Sequence, residues 1–319
     1  MRTLAELFGV ASAKEVMTLT DPPAQGAVRR DPGYVFRADL VRDLAMFWLL
    51  PGERSAMLVG EKGAGKTTGV EQWHAALNWP LYMMTGHKKL RPDDLFGQYL
   101  PNDCGGLDWH DGPVTRAARI GASVLINEIN AADPGVTIAL NDIAQMGSRI
   151  TIAQTGEIIE PAATFRIFAT MNPPGRGGVN YHGRQPLDAS TRERFMWVQV
   201  EYPSRDDEIA IVQRAFASVG AVSPTATRPW AERMVDVAAE VRASAIGSSD
   251  ASDAIPETLS TRVLVRWARY WVALMNRTDA VHLALRRALT TGSDPDAAAA
   301  IHALVSAKFP TSPIHRAGP

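Results

Sequence analysis

Gly60-Glu61-Lys62-Gly63-Ala64-Gly65-Lys66-Thr67 satisfies the pattern G-x-x-x-x-G-K-[ST] at every fixed position, and nothing else in the chain constrains its fold as tightly. Glycines let the backbone turn sharply, so that successive N–H groups point inward at a phosphate group. Lys66 then reaches the outer phosphates, and the Thr67 hydroxyl holds Mg²⁺. The flanks agree. Ala56-Met57-Leu58-Val59 reads as a short buried strand, and Lys66 to Leu77 contains no Pro and one Gly, as a following helix would. The helix start adds the positive end of its dipole to the anion site. The stretch Gly60 to Thr68 is therefore read as a nucleotide site rather than a Gly-rich surface turn.

Composition frames this reading. A chain of 319 residues suggests about two domains. Lys and Arg number 33 against 34 Asp and Glu, a net charge of −1, which argues against a constitutive nucleic-acid or membrane binder. Cys104 is the only cysteine, so no intrachain disulfide and no cysteine-rich metal site can form. The longest apolar run, Leu44 to Leu50, is too short to span a bilayer. Leu4 to Ala13 faintly resembles a signal peptide, but Glu6 interrupts its apolar stretch. The expectation is a cytoplasmic protein.

Residues 1–33 carry Asp21-Pro22-Pro23, Gly26 and Asp31-Pro32-Gly33, punctuation that suits an extended arm better than a folded unit. Leu4, Leu7 and Phe8 have the spacing of a short docked helix at its start. Asp39 to Leu50 reads as a helix, and Leu81-Tyr82-Met83-Met84 as a second buried strand. Residues 86–113 are rich in Gly and Pro and read as long loops or a hairpin, which in a compact domain are usually functional.

Val124-Leu125-Ile126-Asn127 is a third buried strand, followed by Glu128. In phosphate-loop ATPases this strand ends in an acidic pair, the first acid holding Mg²⁺ and the second positioning or deprotonating the attacking water. Here Asn127 stands at the first place. It can accept a hydrogen bond from Mg²⁺-bound water but brings no charge, while Glu128 is intact. Val136 to Met146 reads as a helix, Arg149 to Ile159 as a hairpin around Thr155-Gly156, and Arg166 to Met171 as a fourth strand. Asn172 either starts the turn before Pro173-Pro174 or sits between Glu128 and the γ-phosphate, where it orients water. Residues 175–186 are loop-like, and His182 has no partner spacing that would make it a metal ligand.

Met196 to Val200 is a fifth strand. Beyond Pro203-Ser204 the chain reads as helical, with a cap at Ser204, helices near 228–243, 260–275, 278–290 and 295–307, and a Gly/Ser-rich loop at 247–253. As residues alone, Arg192, Arg194 and Arg262 read as surface charge.

The order of phosphate loop, acidic strand end, polar strand end, paired arginines and helical C-terminal part resembles an AAA+ ATPase. Asp111-Gly112-Pro113-Val114-Thr115-Arg116-Ala117 followed by Val124 to Ala132 is similar to the MoxR group, which inserts a hairpin in the second helix, here within residues 97–112. A closer resemblance is to the AAA+ subunit of the aerobic, ATP-dependent cobaltochelatase. It runs through Tyr34-Val35-Phe36, Glu71-Gln72, Leu77-Asn78-Trp79-Pro80, Phe165 to Asn172, and Tyr181-His182-Gly183 with Gln185. The resemblance implies that Asn172 is sensor 1, and that Arg194, assisted by Arg192, is the finger inserted into a neighbouring subunit's site. It also implies that Arg262, in Ser260-Thr261-Arg262, is sensor 2 on the lid.

The expectation is an α/β protein with three parts: an N-terminal arm at 1–33, an AAA+ αβα sandwich with a five-stranded parallel sheet at 34–203, and a helical lid at 204–319. It binds ATP and Mg²⁺ at subunit interfaces of a homo-oligomeric ring, which the family implies is often a hexamer. Hydrolysis remodels a partner, by resemblance a metal-chelatase subunit or a protein with a von Willebrand A domain. Two alternatives stand beside it: a nucleotide-gated scaffold that hardly hydrolyses ATP because of Asn127, and a DNA-acting AAA+ protein using His87-Lys88-Lys89, Arg116 and Arg119.

Overall fold

The computed structural model describes residues 1–21, 23–173, 187–220, 223–247 and 257–309. Tyr181, His182, Gly183 and Gln185, and the Gly/Ser-rich loop from residue 248 on, lie outside the described residues.

Five apolar segments form the central sheet: β1 (Ser55–Val59), β2 (Leu81–Thr85), β3 (Ser123–Asn127), β4 (Arg166–Met171) and β5 (Met196–Gln199). All pairings are parallel, in the order β5-β1-β4-β3-β2. The three inner strands are buried on both faces and need continuous apolar runs, and the period-two alternation of strand side chains decides which layer each residue joins. β2 and β5 are the sheet's edges, with Met83 and Trp197 exposed, so Leu81–Met84 is not the buried strand its apolar run predicts. Leu58, Leu125 and Phe168 face one layer, packed by α1 (Ala38–Leu49) and α2 (Lys66–Leu77) with Leu44 and Trp73. Met57, Ile126 and Ile167 face the other, packed by α3 (Pro113–Ile120) and α4 (Pro134–Asn141) with Val114 and Leu140.

Helix α4 stops at Asn141, short of the Met146 expected from its pattern. Past that point the backbone is held by side chains. Arg54 donates to the carbonyls of Ile143 and Ser148, and Ser55 to that of Ala144 at 2.8 Å. The Asn141 amide is tied to the Thr191 hydroxyl at 2.8 Å. Both expected hairpins are present: Gly97–Pro101 with Leu107–Asp111, between a five-residue helical turn and α3, and Ile150–Ile152 with Glu157–Ile159.

The arm packs on the first layer. Thr3 and Glu6 form a reciprocal capping box on a turn of helix, Leu4–Phe8, which ends at the left-handed Gly9. Its Phe8 stacks on Trp73 at 4.7 Å between ring centres, and Leu7 and Val16 are buried in the same core. Gln72 receives the Asp31 N–H at 2.8 Å and donates to the Arg29 carbonyl, while Asn78, itself left-handed, donates to the Leu19 carbonyl.

The C-terminal part has its own core around Phe216, Met234, Trp267 and Trp271. Its helices are α5 (Arg205–Ala217), α6 (Pro224–Gly247), α7 (Thr261–Leu274), α8 (Ala280–Ala288) and α9 (Pro295–Lys308). Ser204 caps α5 by accepting the Asp207 N–H, as its spacing predicts. Helix α6 begins four residues earlier than expected and runs through Pro229, its sixth residue, which has no N–H to give to the carbonyl four residues back. Among the described residues no helix is long and apolar enough to cross a membrane.

Candidate functional site

The site grows from the C-terminal edge of the sheet. After Val59 the chain must pass directly over β5: a Cβ on Gly60 would lie 1.9 Å from the Val200 carbonyl oxygen, so only glycine fits. Gly63 and Gly65 take φ of 77° and 95°, and Gly65 opens α2. The first-turn amides of α2, which have no intrahelical acceptor, thus open beside the loop.

Lys66 is 8% exposed, and its ammonium donates to the Gly60 carbonyl (2.6 Å), the Glu61 carbonyl (2.8 Å) and the Asn172 side-chain oxygen (2.8 Å). Among the described residues its N–H donors thus face three oxygen acceptors. The Thr67 hydroxyl donates to Asn127 Oδ1 at 2.6 Å, and Thr170 approaches the same oxygen at 3.4 Å. Loop, β3 end and β4 end therefore converge on one point. Glu128 follows with φ 53° and ψ 45°, one of two non-glycine residues in the left-handed region among the described residues. Such a conformation costs about 1–2 kcal/mol, and here it is held by packing. The Glu128 N–H meets the Thr170 hydroxyl at 3.2 Å, and a Cβ on Gly86 would lie 2.5 Å from the Glu128 carbonyl oxygen.

Between loop and lid lies a cleft of about 700 Å³ whose walls include Tyr34, Arg37, Ala64, Thr68, Thr261 and Arg262. Burial pushes the Tyr34 phenol up to about 12, so it stays a neutral group at the cleft wall. Arg262 stands exposed at the start of α7, and the Ser260 side chain abuts Gly63. Arg192 and Arg194 are not part of this wall. Arg194 donates to the carbonyl (2.9 Å) and hydroxyl of Ser190 on its own short helix, and Arg192 is exposed. One copy of the chain thus brings together Lys66, Thr67, Asn127 and Asn172; Arg262 stands in the wall of the adjoining cleft, which neither those four nor the paired arginines line.

Arg37 was not singled out by the sequence. It is 5% exposed and donates to the Glu201 carbonyl (2.7 Å), the Ala64 carbonyl (3.4 Å) and Asp39 (2.6 Å), joining loop, α1 and the β5 exit. A lone Arg ahead of a helix carries no pattern that reveals such a bond.

The fold and this convergence define a phosphate-loop nucleotide-binding module with a helical lid. Residues 55–195 match the AAA domain (dynein-related subfamily), and residues 219–308 match the CbbQ/NirQ/NorQ C-terminal family. The denitrification regulatory protein NirQ of Pseudomonas aeruginosa is 30% identical over 249 residues, covering 78% of this chain and 87% of that protein. The aerobic cobaltochelatase subunit CobS of a Sinorhizobium species is 28% identical over 300 residues, 89% of this chain and 87% of CobS. Protein NorQ of Paracoccus denitrificans is 36% identical over 158 residues, 50% of this chain and 56% of NorQ. The chain belongs to the MoxR family of AAA+ ATPases, with NirQ, NorQ, CbbQ and CobS as relatives.

Proposed function

We propose that this chain binds ATP with Mg²⁺ in the cleft between phosphate loop and lid, hydrolyses it within a ring of identical copies, and uses the cycle to remodel a partner complex. The observation that carries the reading is the convergence of Lys66, Thr67, Asn127 and Asn172 at the C-terminal edge of the sheet.

The donor set fits the nucleotide and its metal. A cradle without Cβ at Gly60 and an ammonium already surrounded by oxygen acceptors suit phosphate oxygens. Mg²⁺ keeps several of its waters, so beside the nucleotide's phosphates it would be held by the Thr67 hydroxyl and, through a bound water, by the neutral Asn127 oxygen. A Mg²⁺ held there would supply positive charge against the phosphate oxygens. Lys66 exchanges loop carbonyls for phosphate oxygens, Asn172 orients water, and Glu128 takes its proton. Arg262 binds from the lid side. Arg194 of an adjacent copy, assisted by its Arg192, supplies the last charge.

The names of the relatives, a cobaltochelatase subunit and a denitrification regulatory protein, support a partner that is a metal enzyme or an adaptor to one, such as a von Willebrand A domain protein. A cytoplasmic site of action goes with this reading. Asn127 favours a second reading, a nucleotide-gated scaffold with little turnover. Glu128→Gln separates them. The hydrolase reading expects ATP binding retained and turnover lost; turnover equal to the parent would remove Glu128 from its role.

A further inference from the structure

Tyr202 lies in the connection between β5 and the lid, and its hydroxyl donates to the Lys62 carbonyl of the phosphate loop at 3.0 Å. Arg242 of α6 stacks on the Tyr202 ring, its guanidinium carbon 3.9 Å from the ring centre. The same guanidinium forks onto Glu208 of α5, with both bonds at 2.9 Å, and gives its Nε–H to the Leu259 carbonyl at 2.8 Å. Glu208 is 2% exposed and also accepts the Thr261 hydroxyl at 2.6 Å. Leu259 and Thr261 bracket Ser260, and a Cβ on Gly63 would lie 2.6 Å from the Ser260 Cβ. The contacts thus leave the loop at Lys62, pass through Tyr202, Arg242, Glu208 and Thr261, and return to the loop at Gly63. Arg262 is the next residue.

A buried ion pair adds little net stability over apolar packing of the same shape. What it supplies is geometry, because the planar fork accepts one orientation of its carboxylate. Three separate lid elements are joined here to both sides of one short loop, so the first turn of α7 cannot rotate without straining that loop. We infer that Tyr202, Arg242 and Glu208 are positioning residues that lock the lid to the phosphate loop and set where Arg262 stands over the cleft. The inference rests on the nucleotide reading proposed above. The three residues act through Arg262 and make no claim on the nucleotide themselves.

Tyr202→Phe removes the hydroxyl link and keeps the ring under Arg242. In the full-length chain, calorimetric titration compares ATPγS with ADP. A bond to a charged phosphate group is worth about tenfold in affinity, so Arg262→Ala is expected to weaken ATPγS by about that factor and ADP by less than about twofold. Tyr202→Phe is expected to reproduce the pattern in smaller measure, and the double variant to bind no worse than Arg262→Ala alone. Factors that multiply in the double variant, equal weakening of both nucleotides, or unchanged affinities would overturn the inference. Hydrogen exchange on the nucleotide-free chain gives an independent arm. Tyr202→Phe should speed exchange at Gly60 to Thr67 and at Ser260 to Val263 together, and a rise confined to the loop would show that the circuit is not closed. If the parent chain binds neither nucleotide, the nucleotide reading fails, and the exchange arm still decides the circuit.

Discussion

Arg242→Met offers a demanding test of the lid's internal electrostatics. The Glu208 and Arg242 side chains are 3% and 9% exposed and joined by two bonds of 2.9 Å. Removing the guanidinium strands a carboxylate in the lid core, and breaking such a pair from one side costs about 3–5 kcal/mol. The Leu259 carbonyl loses its donor as well. Against a typical total of about 5–15 kcal/mol, that is a large share, and it corresponds to a fall in midpoint of roughly 10 °C. Urea unfolding followed by tryptophan fluorescence reads the effect, because Trp267 and Trp271, two of the chain's eight tryptophans, are buried in the lid core. The double variant Glu208→Leu, Arg242→Met removes the stranded charge and should be more stable than Arg242→Met alone. A loss under about 1 kcal/mol for Arg242→Met, the size of an exposed pair, would refute the reasoning, as would a double variant no more stable than the single one.

Asn127→Asp places a carboxylate where the Thr67 hydroxyl now meets an amide oxygen at 2.6 Å, and should lower the Mg²⁺ concentration for half-maximal ATP hydrolysis and raise the rate. An unchanged Mg²⁺ dependence would show that charge at this strand end is not limiting. His74 is fully buried between Trp48 and Phe168, and burial pushes its imidazole down to about 4 from 6.5. Its folded value lies below its unfolded one, so the unfolded chain takes the proton first as pH falls. The stability due to neutral His74 is complete above pH 6.5 and lost as pH drops towards 4, by about 3 kcal/mol in all. His74→Gln should flatten that part of the stability–pH curve, and an unchanged slope would assign acid sensitivity to other groups.

The parallel sheet is legible because its strands are apolar runs and three of them are fixed at their ends by a motif. The Gly60–Thr67 pattern dates β1 and α2, and the polar Asn127-Glu128 and Asn172 mark the ends of β3 and β4. What stayed hidden depends on pairs far apart in the chain. Arg37 meets Glu201 across 164 positions, and Arg54 meets Ser148 across 94. No local period encodes either. The end of α4 was misjudged for that reason, since Arg54 and Ser55 claim the carbonyls beyond it from another strand. Glu71-Gln72 and Leu77-Asn78-Trp79-Pro80 enter the sequence reading only as residues of a family resemblance. Their structural use is now plain: Gln72 and Asn78 strap the arm to α2, and Trp79 donates to the Gly121 carbonyl at 3.1 Å.

The central claim, that each ATP site is shared between adjacent copies, is tested most directly by mixing two inactive variants. Lys66→Ala removes the ammonium that meets Asn172, and Arg194→Ala removes a guanidinium that, among the described residues, meets Ser190 on its own short helix. In other phosphate-loop enzymes a finger arginine contributes about 10³–10⁵ in rate, so Arg194→Ala should bind ATP and hydrolyse it poorly. A mixed ring sets an intact phosphate loop from one variant beside an intact Arg194 from the other. The account predicts ATPase activity in the mixture well above the sum of the two variants measured separately. Activity equal to that sum, with specific activity unchanged down to concentrations where the chain is monomeric, would contradict it.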